Sequence, residues 1–328
     1  MDEIVNAAAE QFSGVVAVDR GGERVYRLVR GDAHRAHRVP NTIETAFGLA
    51  SGSKGWTALA VLALVEQGKV ALDKPVRGIV GDDLPNLDSR VTLRHLLTHS
   101  AGIEDYLDES EDWDVSDYVL PVPVHTLISA EAFVPLLAPL AQRDEPGARF
   151  EYSNAGYVIL ALIIERLTGQ LFHDVVADLV LAPAGMTHSS YLRLDELPGG
   201  AALGYLADEG DRVNTLHLPV RGNGDGGAFS TAGDLRSFWR AFLSGDIVSR
   251  EMVAQIVTPH WDVPEEGMQY GMGFWLAGTR IVLEGYDPGV SFRSSHDPQT
   301  DTTVTVIANT SDGAWPMIAA VEESLGWI

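Results

Sequence analysis

The spacing of apolar residues changes several times along the chain, and each change marks an element. "SGVVAVDRGGERVYRLVRG" places alternating β-branched residues on both sides of an Asp-Arg-Gly-Gly cluster, which predicts two strands joined by a tight turn. Residues 52–67 switch to helical spacing, with Leu59, Leu62 and Val65 on one stripe and Gly68 as the stop. Further helices are expected at 92–98, at 130–142 after a Ser129 cap, at 155–167 between an Asn154 cap and Gly169, and at 171–181. "STAGDLRSFWRAFLSG" opens another, with Thr231 as cap and Asp234 three residues on, an acidic variant of the capping box. Strand patterns then return in "MQYGMGFWLAGTRIVLEG", read as a hairpin, and in "GVSFRSS" and "TTVTVIANT", before "AWPMIAAVEESLG" closes as a helix.

Strands at both ends with helices between them predict an α/β (α+β) fold. A mixed, mainly antiparallel sheet is formed by both chain ends and flanked by helices, and a mostly helical region is inserted in it. The expected division is residues 1–75 with 215–328 for the sheet, and 76–214 for the helical part. There are no internal repeats or low-complexity linkers.

Composition narrows what such a fold does. No run reaches the roughly 18–20 apolar residues of a membrane-spanning helix, so no membrane partner is expected. The acidic start, "MDEIVNAAAEQFSGVVAV", lacks the basic flank of a secretory signal, which predicts a cytoplasmic protein. A net charge of −23 opposes binding to a phosphate backbone, so nucleic acid is not an expected partner. The acidity is densest in "DYLDESEDWDVSD", read as a solvated surface loop. The absence of cysteine excludes disulfides, thiol nucleophiles and thiolate metal sites. Oligomeric state is not legible.

Among 23 basic residues only three are lysines, Lys54, Lys69 and Lys74, and Lys54 stands three places after Ser51 in "FGLASGSKGWTALAVLALVEQG". Positions i and i+3 share a helix face, so hydroxyl and amine come within hydrogen-bonding reach. A serine hydroxyl needs a base before it attacks, and a desolvated lysine is one of the few side chains that serves near neutral pH. A helix N-terminus adds an N–H and a positive dipole end for a developing oxyanion. "GARFEYSNAGYVILALIIERLTGQ" supplies further parts. Tyr152 can relay a proton if a neighbouring cation such as Lys54 favours its ionised form, and Asn154 can bond both a substrate amide and the lysine. Taken singly, each motif has an ordinary reading too: a serine cap before an exposed lysine, and an asparagine cap after a packed tyrosine.

Together with "VTLRHLLTHSAGIEDY", "GMTHSSY", "GGAFSTAGDL" and "YGMGFWL", in this order along nearly the whole chain, these stretches resemble the class C β-lactamases and their relatives. Those relatives are penicillin-binding-protein-like serine hydrolases, including esterases and D-amino-acid peptidases. The resemblance implies that Ser51 is acylated, Lys54 activates it, Tyr152 is general base and acid, and Asn154 contacts substrate and lysine. It implies no metal or organic cofactor and a small ester, amide or β-lactam substrate. One motif departs from the family pattern. Where relatives carry Lys-Thr-Gly or His-x-Gly, "LEGYDPGVSFRSS" aligns with Tyr286 in place of the basic residue, Pro288 in place of the glycine, and Gly289 as the remaining oxyanion N–H. Loss of that fixed charge weakens the case for carboxylate-bearing penicillins or D-Ala peptides and favours a neutral ester or amide, unless Arg293 or His296 replaces it.

Competing signals are weaker. His95 and His99 in "HLLTH" have i, i+4 spacing but lack the glutamate of a zinc helix, and are read as structural or capping groups. "GNGDGGAFS" is read as a loop that lets backbone approach the site, since it has neither a phosphate-loop lysine nor GxGxxG. No Gly-x-Ser-x-Gly elbow occurs. The tryptophans are read as core, with Trp113 in the acidic loop as the exception. A non-hydrolytic penicillin or peptidoglycan-fragment binder and a metal-dependent enzyme remain as alternatives.

Overall fold

A computed structural model of the chain describes residues 5, 8, 9, 11–107 and 119–328; Trp113 and most of the acidic run around it lie outside the described residues. Both chain ends build one eight-stranded sheet. The strands are β1 (Gly14–Arg20) and β2 (Glu23–Arg30), then β7 (Trp261–Val263), β8 (Met268–Tyr270), β9 (Trp275–Ala277), β10 (Arg280–Asp287), β11 (Val290–Asp297) and β12 (Thr302–Ala308). Four short strands, β3 (Asp32–His34), β4 (Val39–Pro40), β5 (Phe47–Gly48) and β6 (Phe229–Ser230), make two small pairs outside it.

The sheet order is β2-β1-β12-β11-β10-β9-β8-β7, and every neighbouring pair is antiparallel, so the sheet is antiparallel throughout rather than mixed. Sequence-distant strands meet within it, where Val16 faces Val306 across β1 and β12. Both faces of β1 are covered. Val15 and Ala17 join the larger core, while Val16 and Val18 pack with Val304, Val306 and the C-terminal helix Ala314–Leu325.

The helix Lys54–Glu66 is buried from Lys54 to Leu64 with almost no polar face, as expected of a central helix. It packs against Asn154–Thr168, another helix buried nearly all round. One continuous cluster of buried residues runs from Val15 through both helices to Ile307, so sheet and helical parts share a core. Among the described residues no single helix is long and apolar enough to cross a membrane.

Several element boundaries differ from the sequence reading. The helix expected at 130–142 is only a 3-10 turn, Glu131–Phe133, followed by Val134–Leu137; Pro139 lacks the N–H that would continue it, and Gln142 already bridges to Ile103. Ser153, not Asn154, caps the helix at 154–168: its hydroxyl accepts from the Gly156 N–H at 3.0 Å, and Asn154 is the first helical residue. Thr231 does accept from the Asp234 N–H, but the Asp234 carboxylate turns to the His188 N–H and the Ser189 hydroxyl, leaving the box open.

Candidate active site

Ser51 lies in a 3-10 turn, Ala50–Ser53, that feeds into the helix beginning at Lys54, so the nucleophile candidate precedes the α-helix rather than occupying its first turn. Ala50 has φ +46°, a conformation costly for a residue with a Cβ. It is held there by the Gly227 N–H, which donates to the Ala50 carbonyl at 3.1 Å.

Lys54 is 2% exposed and fully engaged. Its ammonium donates to Ser51 Oγ at 2.8 Å, to Asn154 Oδ1 at 2.7 Å and to the Asp225 carbonyl at 2.5 Å. An ammonium has three protons, and three acceptors converge on this one. Its nitrogen also lies 4.9 Å from the Tyr152 ring centroid and 5.7 Å from that of Tyr157. Ser51, Lys54 and Tyr152 line one small cavity with Tyr270, Trp275 and Glu284. Two segments about 100 residues apart therefore bring Ser51, Lys54, Tyr152 and Asn154 together, and a third supplies the Asp225 carbonyl.

Groups outside the Ser51–Lys54 and Tyr152–Asn154 motifs hold this chamber in place. Tyr152 packs against Trp275, with ring planes within 8° and centroids 6.2 Å apart, and against His99, at 4.3 Å. His99 Nδ1 accepts from the Ser153 N–H at 3.0 Å, so Nε2 carries the proton and donates to the Tyr270 hydroxyl at 3.1 Å. Burial, reinforced by the Lys54 charge, holds its imidazole well below the ordinary range, so it is neutral. His95 instead closes the Thr92 capping box. Asp105 accepts from the N–H groups of Asn154 and Ala155, fixing the helix start that carries Asn154. Burial pushes its carboxyl up to about 6, against the opposing pull of those N–H groups and of Lys54. Asp225 bonds the Tyr106 hydroxyl, and its carboxyl is also raised by burial. The glycine-rich loop thus brings both a carbonyl and a carboxylate to the site. The sequence reading gave His99 a structural or capping role without its partners and gave no role to the two aspartates, because each acts across a gap of about 50 residues or more.

The β10–β11 connection corrects the alignment of the third motif. Pro288 and Gly289 form the two-residue turn between Asp287 and Val290, and Gly289 has φ +74°. Its N–H donates to Ser311 Oγ at 2.9 Å, so Gly289 supplies no open donor at Ser51. The glycine beside Ser51 is Gly285. A Cβ there would lie 2.1 Å from the Leu49 carbonyl oxygen and 2.8 Å from the Ser51 nitrogen. Pairing in an antiparallel ladder alternates, so with Asp287 and Val290 closing the turn, the Tyr286 N–H points away from β11. It faces the stretch of β10 edge that β9 leaves uncovered beyond Val282, against the Ala50–Ser53 turn. The residue two before the glycine is then Leu283, buried and apolar, and the Tyr286 side chain projects outward at 39% exposed, its ring 6.2 Å from Trp315.

Neither proposed substitute for the missing cation reaches the cleft. Arg293 is paired with Glu284 and lies 3.6 Å from Glu322, and His296 is buried against Thr303 and Trp239. Beyond Ser51 opens a cleft walled by Tyr106, Asn154, Leu194, Leu218, Asp225, Tyr286 and Asp287.

Comparison with known proteins identifies the fold that carries this arrangement. The crystal structure of a penicillin binding protein from Bacillus halodurans superposes with a TM-score of 0.90 at 37% identity, covering 98% of this chain and 99% of that one. Esterase EstB of Burkholderia gladioli is 35% identical over 193 residues, 54% of this chain and 46% of the esterase. The D-aminopeptidase of Brucella anthropi is 30% identical over 234 residues, 70% of this chain and 42% of that enzyme. The chain thus spans less than half the length of those two enzymes. With the Beta-lactamase family model matching residues 1–322, the chain belongs to the Beta-lactamase family, which includes hydrolases.

Proposed function

We propose that the protein is a serine hydrolase that cleaves an ester or amide through an acyl group carried on Ser51. The observation that carries this reading is the convergence of Lys54 Nζ on Ser51 Oγ, Asn154 Oδ1 and the Asp225 carbonyl, beneath the face of Tyr152. Relatives named as an esterase and a D-aminopeptidase are in keeping with a carbonyl substrate.

We take Tyr152 as the base, acting as the phenolate that the neighbouring Lys54 ammonium favours, so that the serine proton passes to it without Lys54 having to give one up. Ser51 Oγ forms a bond to the substrate carbonyl carbon while its proton passes to Tyr152. The oxyanion is met by the N–H groups of Ser51 and Tyr286, the latter replacing Gly289 in that role. The bond to the leaving alcohol or amine then breaks, and Tyr152 returns the proton to the departing oxygen or nitrogen. Water attacks the acyl-enzyme next, giving a proton to Tyr152 as its oxygen bonds the carbonyl carbon. Collapse releases the acid and restores the Ser51 hydroxyl. No step calls for a metal or organic cofactor.

With Leu283 where relatives carry a basic residue, we place ester or amide hydrolysis ahead of β-lactamase or D-Ala-peptidase activity. The second reading, a penicillin binder that acylates without turnover, is favoured by the high similarity to the Bacillus halodurans protein. Steady-state hydrolysis of p-nitrophenyl butyrate and of benzylpenicillin by wild type and Ser51→Ala separates the two. Ester turnover lost in the variant supports the hydrolase, whereas a stable penicillin adduct with no ester turnover overturns it.

A further inference from the structure

The cleft that opens from Ser51 has an unusual charge balance for a site expected to hold an acyl group. Two carboxylates line it, Asp225 and Asp287, and among the described residues none of its walls is Arg, Lys or His. Lys54, the nearest cation, has its three protons directed at Ser51, Asn154 and the Asp225 carbonyl. Asp225 is the better placed carboxylate. Its own carbonyl is tied to the lysine, the Tyr106 hydroxyl fixes its side chain, and the Tyr106 ring is braced at 5.9 Å against the buried Phe133. Asn154, which the same lysine holds, borders the cleft beside it.

A carboxylate in such a position is under-compensated. Burial raises its carboxyl group, and the opposing contributions of Lys54, Tyr106 and two backbone N–H groups do not cancel that effect. A cation delivered by the ligand would restore the balance lost on desolvation, and a bound anion would worsen it. The net charge of −23 adds a long-range field of the same preference.

We propose that Asp225 is a specificity residue and that the preferred substrates carry a cationic amino or quaternary ammonium group on the acyl side of the scissile bond. This rests on the acyl-transfer reading of Ser51. The cation adds ground-state and transition-state binding alike, so the preference appears in kcat/KM.

Three p-nitrophenyl esters with the same leaving group test it: the 4-(trimethylammonio)butyrate, its uncharged carbon isostere 5,5-dimethylhexanoate, and the hemisuccinate. In wild type the cationic ester should exceed the isostere in kcat/KM by tenfold or more, and the hemisuccinate should be the poorest. In Asp225→Asn the ratio of cationic to isosteric rates should fall to near one. That ratio is internal to each protein, so a general loss of activity in the variant does not disturb it. A wild-type ratio of one or less overturns the proposal without recourse to any variant, as does a ratio unchanged in Asp225→Asn. Absence of Ser51-dependent turnover of p-nitrophenyl butyrate would instead overturn the acyl-transfer reading itself. Raising salt from 50 to 500 mM should lower the wild-type ratio and leave the isostere's own rate nearly constant.

Discussion

The chamber around Lys54 and the cleft around Tyr286 meet at Ser51 but are built on different principles. In the chamber each polar group has several partners: Lys54 has three acceptors, His99 uses both ring nitrogens, and Asp105 holds two N–H groups of one helix start. The cleft draws its walls from the end of β10, the helix start at Asn154 and several loops, and some of them are open to solvent, such as Tyr286. Over-determined geometry suits the steps that move a proton, where misplacement by about 1 Å costs roughly a hundredfold. Loop-built walls tolerate change, and specificity is expected to reside there.

The largest effects should come from the chamber. Ser51→Ala should lower ester kcat/KM by about 10⁴-fold or more, and Lys54→Met by about 10³-fold, with the circular dichroism spectrum retained. A Ser51→Ala protein with wild-type turnover would remove the basis for the comparison. Gly285→Val tests the boundary between the two regions. Its added carbons collide with the Leu49 carbonyl and the Ser51 nitrogen, so activity should fall about a hundredfold, with roughly 1–3 kcal/mol of stability lost to overpacking. A fully active Gly285→Val would show that β10 does not abut the nucleophile turn as closely as described.

Smaller effects sharpen the contrast. Tyr286→Ala should change kcat/KM by less than about tenfold, because only the backbone N–H of that residue faces Ser51. A loss of a hundredfold or more would assign its side chain to the reaction. Asp105 gives a pH signature. Its folded-state carboxyl titrates near 6, above its ordinary value of 3.8, so the folded state binds the proton more tightly. Its contribution is therefore present below pH 4 and lost as pH rises through 6. Urea unfolding should show wild-type stability, relative to Asp105→Asn, falling by up to about 3 kcal/mol between pH 4 and 7. A flat or rising difference would contradict the burial of that carboxylate.

What the sequence made legible follows the same divide. The Ser51–Lys54 spacing and the Tyr152–Asn154 pair are local patterns, and the structure brings all four residues together. The hairpin at the amino end and the sheet formed by both ends were readable from alternation and turn residues. Strand register was not. "LEGYDPG" contains two glycines, and only the β10 pairing and the collision at Gly285 decide which one lies beside Ser51. Asp105 and Asp225 escaped notice, and His99 was legible only as a structural or capping group, because burial and distant partners, not sequence neighbours, give them their roles. The helix expected at 130–142 failed for a related reason: apolar spacing there reflects packing of short turns, not a continuous helix.

The most direct test of the central claim is intact-mass measurement of the protein quenched within seconds of mixing with p-nitrophenyl butyrate, followed by peptide mapping. The account predicts one added butyryl group on the peptide containing Ser51, which disappears as substrate is exhausted and is absent in Ser51→Ala. Ester turnover with an acyl group on another residue, or with the same adduct in Ser51→Ala, would contradict it.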